Sequence, residues 1–303
     1  MALDLNLLVP LDALLKERSV TKAAQRLGLS QPTVSAALAR LRRHFGDQLL
    51  TRVGNTYELT PLAARLVEQT AQALGSVDRV FLSRPVFEPT HSRREFTLSA
   101  SDVHVATLGR VLADLLRERA PGVRLRFRTN TMETVAHAKD RLAALDAVVL
   151  PQGLLSDFPV MDLYEDRWVC VASAAALPTH GELSARPWVM PYHFPWAMGF
   201  SPAHRLQAQG IEPRVEIAVE NFLSIPALLT GTDRVAVVSV RALSLFPAGH
   251  GLGVVELPLG PGPVVESLWW DAQHDRDPAH IWLRGVVAEA GALVAATPWP
   301  ETV

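Results

Sequence analysis

Residues 19 to 35 constrain this chain more tightly than any other stretch. They read Ser-Val-Thr-Lys-Ala-Ala-Gln-Arg-Leu-Gly-Leu-Ser-Gln-Pro-Thr-Val-Ser. Ser19 is placed to cap a helix over Val20 to Leu27, with Ala23, Ala24 and Leu27 inward and Gly28 ending it. Ser30 is placed to cap a further helix from Gln31 to about Phe45, with Pro32 in its first turn, where proline costs little. The apolar positions of that helix are Val34, Ala37, Leu38 and Leu41, yet its first turn is small and polar. Two short helices meeting at a tight turn in this way form a helix-turn-helix, whose second helix meets base edges in the major groove. A glutamine there can read adenine with two hydrogen bonds, and the free N–H groups of a helix start can take a phosphate.

The charge distribution agrees with that reading. The 303 residues carry a net charge of −2, an unlikely total for a nucleic-acid binder taken alone. Between Lys16 and Arg52, however, Lys16, Arg18, Lys22, Arg26, Arg40, Arg42, Arg43 and Arg52 face only Glu17 and Asp47. That segment is +6, so the remainder is −8. A basic module on an acidic body is the footprint of a protein that touches phosphate with one end. The candidate DNA contacts are Ser19, Thr21, Ser30, Gln31, Pro32, Thr33 and Ser35 on the helices. Arg40, Arg42, Arg43 and Arg52 are expected on phosphates, Arg52 from a short hairpin turning at Gly54-Asn55. Pro10 falls inside the first helix, a stripe of Leu5, Leu8, Leu11, Leu14 and Leu15, and is expected to kink or shorten it.

A long helix is expected over Pro61 to Leu82. Ala63, Leu66, Thr70, Ala73, Val77 and Val80 recur at spacings of three and four, a coiled-coil seam that requires a partner. After Arg84-Pro85 the pattern changes to alternating strands and helices, the signature of parallel sheets with helices on their faces. One series has strands at Phe96 to Ala100, Val123 to Arg128 and Asp146 to Leu150, with helices over Val103 to Ala120 and Glu133 to Leu142. Another starts at Arg167, with strands at Trp168 to Ala172, Trp188 to Met190, Arg214 to Val219 and Val235 to Val240, and helices over Pro202 to Gln209 and Phe222 to Leu229. A strand at Val264 to Trp270 and a helix from Pro278 to about Val294 follow. The chain therefore divides into a DNA-binding domain over 1–60, a dimerisation helix over 61–84, a linker over 85–93 and a domain over 94–303. The last splits into subdomains of about 94–164 with 266–303, and about 165–265.

The nearly apolar stretch from Trp168 to Leu177 is too short to cross a bilayer, and the N-terminus lacks a secretory pattern, so a cytoplasmic protein without membrane contact is expected. A single cysteine, Cys170, excludes a disulfide framework and a cysteine zinc site. The ten histidines show no compact ligand spacing, and neither a GxSxG elbow nor a phosphate-binding GxxxxGK[ST] loop is present. No enzyme, metal or cofactor is expected. Ligands of open α/β sheets lie outside the carboxyl ends of the strands. The loops there bring Ser99, Ser101, Asp102 and His104, Asn130 and Thr131, His193, Phe194 and Trp196, and Asn221 and Phe222. Hydroxyl, imidazole, amide and ring faces suit a small aromatic or carboxylate effector in an apolar cleft. A solute-binding or enzymatic α/β protein would account for residues 94 to 303, but not for residues 19 to 52.

The chain also resembles a known family, the LysR-type transcriptional regulators. The resemblance is densest at Ala23-Ala24, Leu27, Ser30-Gln31-Pro32, Val34-Ser35, Leu41, Phe45-Gly46, Leu49-Leu50, Arg52 and Leu59-Thr60-Pro61. Leu3-Asp4-Leu5-Asn6-Leu7-Leu8, Ser35 to Arg42, Ser101-Asp102 and Asp277-Pro278-Ala279-His280 resemble the branch of nodulation and salicylate-responsive regulators. Leu62-Ala63 stands where a glycine is usual, and Asp271-Ala272-Gln273 where a more basic stretch is usual. The resemblance implies a winged helix-turn-helix, a dimerising linker helix and a two-subdomain effector domain like a type 2 periplasmic binding protein. It further implies promoter DNA, a small effector, RNA polymerase and further copies of the chain, as a dimer or a homotetramer, as partners. Positions like Ser101, His193 and Asn221 approach the effector in related salicylate-type regulators.

Overall fold

The computed structural model describes residues 4–54, 56–82, 86–191, 206–207, 209–255 and 264–298. It divides into two compact units, Met1–Arg84 and Pro85–Val303.

In the first unit a 3-10 turn at Leu5–Leu7 leads into α1, Leu8–Glu17. Asp4 caps the turn by accepting from Asn6 N–H at 3.1 Å. Pro10 thus lies in the opening turn of α1, where a backbone N–H would have no helical partner, and the helix is shortened at its start instead of kinked. Then come α2, Val20–Leu27, and α3, Gln31–Phe45. The antiparallel strands β1, Leu50–Val53, and β2, Thr56–Leu59, pair Val53 with Thr56. Their two-residue turn needs a positive φ, which Gly54 supplies at +61°. The long helix α4 spans Pro61–Leu82.

Leu11, Leu14, Ala23, Val34, Leu38 and Leu41 form the centre of one continuous core. The start of α4 joins it: Ala63 is fully buried, Leu66 and Val67 pack against the cluster, and Thr70 is buried too. The first turns of the expected seam therefore find their partner within the chain, on α1. Ala73 and Val77, farther along, are only half-buried.

The second unit holds two five-stranded sheets. The first lobe contains β3, Glu95–Ala100; β4, Arg124–Thr129; β5, Ala147–Pro151; β6, Val160–Asp166; and β12, Val264–Trp269, in the order β4-β3-β5-β12-β6. The second lobe contains β7, Trp168–Ser173; β8, Pro187–Pro191; β9, Arg214–Val219; β10, Val235–Ser239; and β11, Leu252–Val255, in the order β11-β7-β10-β8-β9. Both sheets are mixed, correcting the all-parallel expectation. β3 runs parallel to β4 and β5, but β12 is antiparallel to β5 and β6. β8 runs parallel to β9 and β10, but β7 is antiparallel to β10 and β11. Arg167 alone separates β6 from β7, so the chain passes between lobes in one residue.

The helical run after β3 has three stretches: α5, Asp102–His104; a π-wound segment, Val105–Gly109; and α6, Arg110–Arg119. At Gly109 the helix passes close to β4, and a Cβ there would stand 3.0 Å from the Phe127 ring. The helix expected over 133 to 142 is broken at His137 into α7, Met132–Ala136, and α8, Ala138–Leu142. The second lobe adds α9, Ile225–Leu229, and α10, Val240–Leu243. The expected helix over 202 to 209 lies almost wholly outside the described residues. The last helix, α11, Pro278–Ala296, is long and apolar enough by composition to cross a membrane. It buries Leu283, Val286, Val287 and Ala290 in the first lobe's core, as a core helix does.

Candidate functional site

In the helix-turn-helix every local feature sets up α3. Ser19 Oγ accepts from Lys22 N–H at 3.3 Å, and Gly28 ends α2 at φ +64°. Ser30 Oγ accepts from Thr33 N–H at 3.4 Å and lies 2.8 Å from Thr33 Oγ1. The two serines expected at DNA are thus also the caps that orient both helices. Ala23, Ala24, Val34 and Leu38 face inward, while Thr21, Gln31, Pro32, Thr33 and Ser35 are exposed and Ser19 half-exposed.

The arginines differ from one another. Arg40, Arg43 and Arg52 are exposed, with Arg40 paired to Asp4 and Arg52 Nε donating to Gly54 O at 3.2 Å. Arg42 turns inward: its Nε donates to Gln48 O at 2.8 Å and its guanidinium reaches Leu50 O at 3.3 Å. Arg42, expected on a phosphate, ties α3 to the base of the hairpin. Asp47, which sequence reasoning passed over, does the same from the other side. Its carboxylate accepts from Leu49 N–H at 2.6 Å and Thr60 Oγ1 at 2.7 Å. It holds buried Leu49 in a left-handed conformation, φ +59°. The Gly46-Asp47 pair just past α3 was the available signal.

In the second unit the candidate residues of the first lobe lie at the ends of β3 and β4 and on α5. Ser99 Oγ donates to Asn130 Oδ1 at 2.7 Å, and Asn130 Nδ2 donates to Val149 O at 2.9 Å, both side chains being buried. Thr131 and Thr134 cap each other, through Thr131 N–H to Thr134 Oγ1 at 3.1 Å and the reverse at 3.3 Å. Ser101 caps α5 by accepting from His104 N–H at 3.2 Å, and its Oγ lies 2.9 Å from His104 Nδ1. The hydroxyl expected to anchor an effector is thus engaged with its own helix.

His104 Nε2 stands 3.0 Å from Glu266 Oε2, both side chains buried. Burial alone would lower the imidazole's pKa, but the Glu266 carboxylate, with Asp166 and Asp102, raises it above the ordinary histidine value. The Asp166 carboxyl is raised too, by burial, while N–H groups of Arg167 and Arg241 partly stabilise its charge. Arg241 lies over the Tyr164 ring, 5.2 Å from its centre. Burial, reinforced by Glu266, pushes the Tyr164 phenol up so that it stays protonated. Sequence reasoning missed Glu266, Asp166, Tyr164 and Arg241. The one visible signal was Glu266, the only charged residue in the strand run Val264 to Trp269.

The facing lobe presents Asn221 and Phe222. Asn221 Oδ1 accepts from Ser224 N–H at 3.2 Å. The Phe222 ring is buried in the second lobe's core and stacks on Trp168 at 6.0 Å. Its backbone N–H instead meets Asp102, at 2.9 Å from Oδ2. His193, Phe194 and Trp196 lie outside the described residues. Among the described residues no group of three or more His, Cys, Asp or Glu side chains could hold a metal ion. Burial pushes the Cys170 thiol up to about 12, which leaves no reactive thiolate at neutral pH.

Residues 5–64 match the bacterial regulatory helix-turn-helix proteins of the lysR family, and residues 90–292 match the LysR substrate binding domain. Nodulation protein D 2 of Sinorhizobium fredii (strain NBRC 101917 / NGR234) is 36% identical over 293 residues, 95% of this chain and 93% of that protein. Nodulation protein D of Bradyrhizobium sp. (strain ANU 289) is 35% identical over 309 residues, 97% and 88% of the two chains. Among solved structures, a probable transcriptional regulator from Pseudomonas aeruginosa is 29% identical, with TM-score 0.69 over 95% of this chain and 97% of that one. Full-length CbnR, solved with its target DNA, shares the fold at 16% identity and TM-score 0.63, over 97% and 100% of the two chains.

Proposed function

This chain belongs to the LysR family of bacterial regulatory helix-turn-helix proteins and is a ligand-responsive transcriptional regulator, not an enzyme; from that premise we propose how its own residues divide the work. Residues 1–60 read a partly palindromic promoter site. Gln31, Thr33 and Ser35 on the outer face of α3 meet base edges, with Thr21 beside them. Arg40, Arg43 and Arg52 hold phosphates, and Arg42 keeps the hairpin in position for Arg52. Ser19, Ser30 and Pro32 set the start of each helix. The observation that carries this reading is the first turn of α3, capped, exposed and small-polar, on a helix whose opposite face is buried.

Residues 61–84 dimerise through the later turns of α4, where Ala73 and Val77 remain half-buried within one chain. Dimers pair into a tetramer through the domain over 94–303. That domain takes a small aromatic or carboxylate effector between its lobes, with Ser101, Asn130, Thr131, Asn221, His193 and Trp196 as its contacts. Effector binding shifts lobe closure, which changes assembly, DNA bend and contact with RNA polymerase in the cytoplasm. A gel shift with DNA from upstream of the protein's own gene tests the central claim. A retarded band competed by that DNA and not by random DNA is expected, and equal competition by both would overturn it. A thermal-shift screen with small aromatic acids and phenols tests the effector class.

A further inference from the structure

Asp102 and Val103, the first residues of α5, belong to the first lobe by chain connection and to the second by contact. Val103 is buried in the second lobe's core, among Val169, Val189, Phe222 and Ile225. The Asp102 carboxylate accepts from Phe222 N–H at 3.1 Å on Oδ1 and 2.9 Å on Oδ2, and from Leu223 N–H at 2.8 Å on Oδ2. These are charge-assisted bonds to backbone amides 120 and 121 positions away. Both residues are aimed by the cap on α5, in which Ser101 and His104 bond each other reciprocally. Asn221 Oδ1 takes the next amide, Ser224 N–H.

We propose that the amides of Phe222 and Leu223 form a carboxylate-binding site that the chain fills with its own Asp102, latching the two lobes together. The tethered carboxylate needs no ligand in solution, because its attachment to α5 supplies a high local concentration. The Asp102 charge also stands near the His104–Glu266 pair that α5 carries into the junction, so latch and buried pair share one short element. The inference rests on the lobes and their contacts, not on the identity of an effector or a DNA site. Its test uses neither, and its failure would leave the regulatory reading untouched.

The test is hydrogen exchange read by mass spectrometry on the full chain, following peptides that contain residues 222 to 224. In Asp102→Asn, which keeps the shape and removes the charge, exchange there should rise about tenfold to a hundredfold, as expected when bonds to a charged acceptor are lost. The strands β3 and β10 should keep their protection. In Asp102→Ala, added sodium formate should slow exchange at 222 to 224 again, while wild type should not respond to formate. Wild-type exchange in both variants, loss spread evenly through both lobes, or no formate response in Asp102→Ala would each overturn the proposal.

Discussion

The two units handle polar residues in opposite ways. In the N-terminal unit an apolar core assembled from neighbouring helices leaves Thr21, Gln31, Thr33, Ser35 and Arg43 outside. In the effector unit the polar groups turn inward, and His104, Asp166, Glu266 and Arg241 are all buried where the lobes meet. Reading a fixed polymer needs an exposed, preformed surface, and exposed polar residues contribute little to folding. Groups buried at the junction of two lobes carry stability, because a buried charge without its partner is strongly unfavourable. Substitutions should therefore separate stability from binding in the first unit and couple them in the second.

The largest effect should come from Glu266→Ala. It strands His104 in the interior without its carboxylate, and such losses run at about 3–5 kcal/mol. Urea unfolding measures it, and a loss below about 1 kcal/mol would break the comparison. Val77→Glu should come next. It places a carboxylate on the half-buried part of α4 without touching the core that Leu66 joins, so sedimentation should show weaker self-association in a folded protein. Leu66→Arg should instead unfold the N-terminal unit.

Thr33→Ala should weaken the specific promoter site by about 1–3 kcal/mol, leave random DNA nearly unchanged, and barely alter the unfolding midpoint. Equal weakening of both DNAs would show that α3 does not read bases. Arg52→Ala should weaken both and reduce the salt slope by about one unit.

The smallest effect is a pH dependence of the effector unit. His104 is raised, so its contribution is complete below the unfolded value of 6.5 and is lost as pH rises through the folded value. His280 is lowered to about 4, chiefly by burial, so its contribution is complete above 6.5 and is lost as pH falls toward 4. His280 stacks on His274 and meets Asp146 O at 2.7 Å, at a distance from the lobe junction in chain and contacts. His104→Asn should flatten the alkaline side of the stability profile and His280→Asn the acid side. The reverse pattern would overturn both assignments.

The caps, the turn glycine, the exposed first turn of α3 and the basic segment were all legible in the sequence, because each depends on residues within a few positions of one another. The strands β6 and β11 were not. Both are edge strands, paired on one side only, and Asp162, Glu165, Asp166 and Gly253 dilute their apolar pattern. The seam of α4 was legible as a helical face, but its partner was not: periodicity states that a face must be covered, and only packing shows that α1 covers its first turns. The inward turn of Arg42 was hidden likewise, since its acceptors are backbone carbonyls that every residue possesses.

By itself the sequence determined the helix-turn-helix, the polar character of its reading face, and two alternating α/β series behind it, because caps and periodicities act over one or two turns. Tertiary structure alone decided the order and direction of the strands within each lobe, that Glu266 would meet His104, and that Asp102 would close on the amides of Phe222 and Leu223. Those pairings join residues far apart in the chain. Their energy comes from burying charge and apolar surface together, which no local pattern of residue types encodes.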